Sequence, residues 1–225
     1  MGWKDLWQLW ETWRATSLSR SIRFNILLGR ALLGLIAVIF GAALGSCSSS
    51  TPSSQIANGG VLSSQGATPV NLKIVTGKMD GHPGWPEYQP SNFSIPVDKP
   101  VVLTIVSYDD GTAPLPPASP WGMVSGYNPA NGVVLGGTET VDGNQITSIP
   151  NSDISHTLTV PRLLINIPIP AVPSGKSSIT VTYTFMVKEK GTFRWLCVAP
   201  CGSGALGMGG AMDTTGWMTG FMEVK

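Results

Sequence analysis

Two thiols four residues apart, Cys197 and Cys201, lie in the stretch FRWLCVAPCGSGALGMGGAMDTTGWMTGFMEVK at 193–225, together with the thioethers Met208, Met212, Met218 and Met222. Pro200 precedes the second cysteine and Gly202 follows it, which disfavours a helix and predicts a tight loop. Soft sulfur ligands on such a loop suit copper, because thiolate and thioether stabilise Cu(I) while imidazole accommodates both oxidation states. His156 is the well-placed imidazole. His82, between Gly81 and Pro83, is a further candidate, although a histidine in an exposed turn is more often merely solvated. Zinc would accept two cysteines and a histidine, but it assigns no role to Met208, Met212 or Met218. Each of those methionines taken alone also fits gap-filling in a glycine-rich core. A disulfide is another alternative, since an oxidising compartment could join Cys197 to Cys201, although closing so short a loop stabilises less than closing a long one. The sequence contains no Ser-His-Asp set, phosphate loop or paired catalytic carboxylates, and two histidines leave little scope for acid-base chemistry. Hydrolytic catalysis is not expected.

Strands must carry these groups. Residues 192–197 read as a strand leading into the loop and 220–224 as a strand leading out. Upstream, SSITVTYTFMVK at 177–188 alternates Ile179, Val181, Tyr183 and Phe185 with Thr180, Thr182 and Thr184, the period of a half-buried strand. Glu189-Lys190-Gly191 then predicts a turn that makes 177–188 and 192–197 a hairpin. Residues 155–160 are predicted to bring His156 to a strand edge, followed by an apolar run at 163–169. Residues 70–76 give the first strand, and 93–97 and 101–108 a pair joined by Asp98-Lys99-Pro100. Between them and His156, residues 109–151 are broken by six prolines. A stretch this long is a functional excursion or a disordered insert; Trp121, Met123 and Tyr127 suggest a packed cover over the metal end, with short strands at 133–135 and 145–149.

At 225 residues the chain has room for one sizeable domain plus an anchor. Charged residues are 12% and the formal net charge is +1, so no nucleic-acid surface is indicated. The 27 glycines and 18 prolines, with Val-, Ile- and Thr-rich runs, predict a loop-rich all-β protein. Residues 31–46 carry no charge, and Lys4, Arg14, Arg20 and Arg23 before them outnumber Asp5 and Glu11, so the start is expected in the cytoplasm and the rest outside. Trp3, Trp7, Trp10 and Trp13 recur at helical spacing and suit the headgroup region. Leu44-Gly45-Ser46-Cys47 resembles a bacterial lipobox, which implies lipidation of Cys47. An uncleaved signal anchor is the alternative. The expected division is a leader and signal/anchor helix over 1–47, a Ser/Gly-rich tether over 48–69 and the domain over 70–225.

Asp153-Ile154-Ser155-His156-Thr157, followed some forty residues later by Cys197-Val198-Ala199-Pro200-Cys201-Gly202, resembles the cupredoxin domain of cytochrome oxidase subunit II. The resemblance implies that His156 is the first histidine of a copper centre and that Cys197 and Cys201 are its thiolates. The family places a second histidine four residues after the second cysteine and a methionine three further on; here these positions hold Ala205 and Met208. One terminal ligand of a dinuclear centre is therefore missing. The ending Met218-Thr219-Gly220-Phe221-Met222-Glu223-Val224 resembles that of single-copper cupredoxins of the rusticyanin and sulfocyanin type, which implies Met218 as axial ligand. Met208 is preferred for that role because the thiolate pair is itself the oxidase-like feature. The implied fold is a Greek-key, cupredoxin-like β-sandwich of about seven or eight strands, and the implied cofactor is copper. The expected function is one-electron transfer in or near a respiratory chain, on the extracytoplasmic face of a bacterial or archaeal membrane, with a cytochrome or terminal oxidase as partner. Two alternatives stand beside it: a Cu(I) chaperone or store, and a structural domain with a Cys197–Cys201 disulfide. An electron carrier or an oxidase-subunit-II-like component is expected rather than a stand-alone enzyme.

Overall fold

Strand β9 (Ile179–Val187) buries Ile179, Val181, Tyr183, Phe185 and Val187 and leaves the residues between them half-exposed, as the sequence period requires. Burial of each such apolar side chain contributes roughly 1.5–3 kcal/mol. The same alternation holds in β4 (Val101–Ser107). The computed structural model describes residues 62, 64–126 and 132–225, and within them two mixed sheets form a β-sandwich around one continuous core.

The first sheet has six strands. It runs from β2 (Glu87–Gln89) through β1 (Thr68–Val75), β4 and β9 to β5 (Val134–Val141) and β6 (Asn144–Ile146). β1 pairs parallel with β4, and the other pairs are antiparallel. The second sheet has five strands, in the order β3 (Phe93–Ile95), β11 (Thr219–Val224), β10 (Gly191–Leu196), β7 (Ile154–Val160) and β8 (Ile165–Pro170). Here β3 pairs parallel with β11, and the rest are antiparallel.

Several expectations are corrected. Residues 93–97 and 101–108 do not form a hairpin: β3 joins β11 in the second sheet while β4 lies in the first. The chain changes sheets at Asp98, whose φ of 54° is left-handed. In the same way Glu189-Lys190 connects β9 of the first sheet to β10 of the second, so the predicted hairpin over 177–197 is a crossing between sheets. The short strand expected at 133–135 is an eight-residue strand, β5, paired along the length of β9. The strand expected at 145–149 is the three-residue β6. Eleven strands are present among the described residues, more than the seven or eight expected.

His156 was expected at a strand edge, but it lies within β7, all seven of whose residues are buried. The preceding segment is tied to that strand by the Ala113 N–H donating to Ile154 O (2.7 Å), and to the residues after β8 by the Val172 N–H donating to Asp109 O (2.9 Å). Met123 and Ser125 form bridges to Ser148 and Asn166, so part of the proline-rich excursion packs along β8. The predicted leader over 1–47 with Cys47, residues 48–61 and 63 of the predicted tether, and Tyr127 lie outside the described residues, and the end of that tether, Thr68 and Pro69, is already part of β1. Among the described residues no helix is long and apolar enough to cross a membrane.

Candidate metal centre

The β10–β11 ladder pairs Leu196 with Thr219, and its register continues into the loop. Cys197 therefore stands opposite Met218, and its N–H donates to the Met218 carbonyl at 2.9 Å. Opposite residues of an antiparallel pair project to the same face. The first thiol is thus delivered by strand pairing rather than by the loop alone. Cys201 follows after Pro200, with its N–H bonded to Ala199 O at 2.7 Å.

His156 arrives from β7. The register with β8 shifts between Ile154 and His156, leaving Ser155 as the extra residue of a bulge. A bulge of this kind re-aims the side chain beside it. A ring nitrogen of His156 and both sulfurs lie within 4.8 Å of one another. His156 Nε2 is engaged with Asp109 Oδ2 at 2.9 Å. His156 Nδ1 is buried and has no hydrogen-bond partner. The nitrogen left for a metal is therefore Nδ1, held in place by a carboxylate on the far side of the ring, the arrangement by which proteins orient metal-binding imidazoles.

Electrostatics in this cluster follow from burial and pairing. Burial opposes a charge on His156, but the Asp109 hydrogen bond and the nearby Cys197 sulfur outweigh it and raise its pKa to about 9. Burial likewise opposes a charged Asp109, and His156 together with the Gly111 N–H (2.9 Å) brings its carboxyl below the usual range. The Cys197 thiol is drawn well below its ordinary range: burial works against this, and the Cys201 thiol donating at 3.2 Å, His156 and the Thr157 N–H at 3.4 Å overcome it. Cys201 keeps its proton because it donates to Cys197 and because it too is desolvated. The two cysteines are free, their 3.2 Å separation being well beyond the ~2.05 Å of a disulfide bond.

A chain of hydroxyls fixes the loop from behind. The Val198 N–H donates to Thr157 Oγ1 (2.9 Å), and Thr157 Oγ1 lies 2.9 Å from Thr159 Oγ1, which donates to Asn166 Oδ1 (2.7 Å). Asn166 Nδ2 in turn donates to the carbonyls of Trp121 (2.8 Å) and Met123 (2.7 Å). The three side chains of this relay, Thr157, Thr159 and Asn166, are polar and wholly or nearly unexposed, so the relay satisfies groups that burial would otherwise leave bare. The excursion at 119–126 is thereby connected to the thiolate loop.

The remaining predicted residues are placed as follows. Met218 is wholly buried. Met208 is half-buried, capping the short 3-10 turn Ala205–Gly207 with its N–H on Ala205 O at 3.1 Å. That outer loop folds back closely enough that a Cβ on Gly204 would collide with the Met208 carbonyl oxygen. Ala205 is exposed on the same turn. His82 is exposed with its ring edge-on to Trp217 at 5.3 Å, and the group of His156, Cys197 and Cys201 does not include it. Sequence reasoning missed Asp109, which lies 47 residues from His156 and carries no local signal. It also missed Thr157, Thr159 and Asn166. The T-x-T pattern at 157–159 inside a wholly buried strand is the one trace they leave.

The residues fit a soft metal ion, since a buried nitrogen without a partner sits beside two sulfurs, one of whose thiols is drawn well below its ordinary range. A β-sandwich with a buried His/Cys/Cys centre able to hold copper is thus the class that fold and site define. No protein family and no curated protein matches the sequence. Among solved structures the chain is similar to a multicopper oxidase from Pediococcus acidilactici at 12% identity and a TM-score of 0.38, over 74% of this chain and 28% of that one. The chain therefore spans about a quarter of that oxidase. It is also similar to reduced rusticyanin at 12% identity and a TM-score of 0.33, over 71% of this chain and 81% of that one, and to rusticyanin from Thiobacillus ferrooxidans at 14% identity and a TM-score of 0.33, over 71% and 79%.

Proposed function

We propose that this chain is a cupredoxin-type copper protein that carries single electrons, tethered by its N-terminal segment to the extracytoplasmic face of a bacterial or archaeal membrane and exchanging electrons with a cytochrome or terminal oxidase. The observation that carries the reading is the unpartnered Nδ1 of buried His156 beside the sulfurs of Cys197 and Cys201. His156, Cys197 and Cys201 would hold the metal. Met218, opposite Cys197 in the ladder and wholly buried, is favoured over Met208 as the weak axial contact. Copper bound there supplies a one-electron couple whose potential is tuned by that contact.

The protein's own part is preorganisation. Asp109 fixes the His156 ring, the Thr157 N–H lies against the Cys197 sulfur, and the Thr157–Thr159–Asn166 relay holds Val198 in place. With His156 and Cys197 each 1% exposed, water is kept from these two ligands. A site so held changes little in geometry when its charge changes. The purified chain loaded with copper should show thiolate-to-copper visible absorption and a copper EPR signal; loss of both removes the proposal. A Cu(I) store is the second reading, favoured by the partial exposure of Cys201, which leaves one thiol accessible for hand-over. A redox titration separates the two, since a carrier cycles reversibly and a store does not.

A further inference from the structure

His82, one of the two histidines in the chain, lies outside the group of His156, Cys197 and Cys201, yet the structure builds a tight turn around it. Its N–H donates to Gly77 O at 2.7 Å, its carbonyl accepts the Trp85 N–H at 3.0 Å, and a Cβ on Gly77 would collide with that carbonyl oxygen. The turn lies against the loop that follows Cys201, since a Cβ on Gly84 would sit 3.7 Å from Ser203 Cβ. The exposed His82 ring meets Trp217 edge-on at 5.3 Å, and Trp85 meets the same indole edge-on at 5.1 Å. Both are contacts of the T-shaped kind that aromatic rings favour.

Trp217 joins this cluster to the centre. It is bonded through one peptide to Met218, whose carbonyl accepts the Cys197 N–H at 2.9 Å. The Trp217 carbonyl accepts the Tyr88 N–H at 3.0 Å and the Met218 N–H donates to Ala211 O at 3.2 Å, so both polar groups of the peptide between them are engaged. Covalent bonds, one hydrogen bond and one ring contact thus run from the Cys197 sulfur to the His82 ring at the surface. Among the described residues the other sides of the centre offer no such continuation. Behind His156 stands the Asp109 carboxylate, behind Val198 the hydroxyls of Thr157 and Thr159, and residues 198–216 contain no aromatic side chain. The ring pair Tyr88–Trp195, at 4.8 Å, is wholly buried and ends in the core. Electron tunnelling weakens less along bonds and touching π-systems than across gaps, so the way through Trp217 is the fast one.

We propose that Trp217 is the conduit by which single electrons pass between the His156–Cys197–Cys201 centre and the surface, with His82 as the outer end of the route. The inference rests on the copper reading above. Outward, one electron leaves the reduced centre by way of Trp217 and reaches an oxidised one-electron partner touching His82; inward, a reduced partner returns one electron along the same path. The centre is oxidised by one unit as the partner is reduced by one, no bond forms or breaks, and no proton moves. His82 and Trp217 stand outside the ligand set, so replacing them changes the rate of exchange and leaves the ligands in place.

The test uses the copper-loaded full chain with a ruthenium–bipyridyl complex attached to His82, the exposed histidine, His156 being buried. A flash in the presence of an external electron acceptor oxidises the ruthenium, and the passage of one electron to it from the reduced centre is followed by the rise of thiolate-to-copper absorption. Trp217→Leu and Trp217→Gln, one apolar and one polar replacement without a ring, should each slow this step by at least ~10-fold at equal driving force, with the spectrum of the centre retained. In the metal-free wild type, nuclear Overhauser contacts between the His82 and Trp217 rings should be present, a readout that stands even where neither variant holds copper. A smaller slowing in a copper-loaded variant, or the absence of those ring contacts, overturns the proposal. A wild type that takes no copper removes the underlying reading and this inference together, while normal absorption with an unslowed rate removes this inference alone.

Discussion

Replacing Glu139 by Gln should change how the metal-free protein's stability depends on pH. In the folded chain desolvation raises the Glu139 pKa from 4.5 to about 9. The unfolded chain releases this proton near the lower value. Between the two the folded state binds more protons than the unfolded state, so stability is fully present below about pH 4.5 and is lost as pH rises through the window. Each unit is worth ~1.4 kcal/mol, which gives about 6 kcal/mol across the whole interval and about 3 kcal/mol by pH 7. Against a typical domain stability of roughly 5–15 kcal/mol, this is a dominant effect. A buried glutamine also leaves polar atoms unpaired, but it does so equally at every pH, so the difference between the two proteins isolates the titration. Urea unfolding of metal-free wild type and Glu139→Gln at about pH 5, 7 and 9 should show nearly equal stabilities at the first value and a growing advantage for the variant thereafter. If the two curves stay parallel from pH 5 to 9, Glu139 is solvated or paired in the folded chain and the reasoning fails.

Three further outcomes are expected at the centre itself. Asp109→Asn removes the charged partner of His156 Nε2 and should weaken copper binding by about 10–100-fold in a competition titration with a chelator; unchanged affinity would make Asp109 a bystander. Met218→Leu should retain copper with a shifted potential while Met208→Leu changes little, because Met218 faces Cys197 across the ladder; the opposite pattern in a redox titration would return the axial role to Met208. Thr157→Val takes the acceptor from the Val198 N–H and breaks the relay to Thr159, and should lower unfolding stability by about 1–3 kcal/mol. An unaltered denaturation midpoint would show that water replaces the hydroxyl.

The sequence by itself determined the strands whose two faces differ and the chemistry of the loop. In β9 the alternation of Val181, Tyr183 and Phe185 with threonines is legible because one face is buried and the other is not. The soft ligands Cys197 and Cys201 are legible because their types and spacing are local properties. Strand partnership was not. Glu189-Lys190-Gly191 and Asp98-Lys99-Pro100 look like hairpin turns in one dimension, yet each carries the chain from one sheet to the other, and nothing local distinguishes a turn within a sheet from a crossing between sheets. β7 also hid its place, because burial on both faces erases the period that would have marked it as interior. Only the tertiary structure could join Asp109 to His156 across 47 residues, set Met218 opposite Cys197 through the β10–β11 register, and turn Glu139 inward. The last of these depends on a single extra glycine in a ladder. Register is a relation between two strands, and a one-residue shift reverses which side chains face the core while leaving the composition of each strand unchanged.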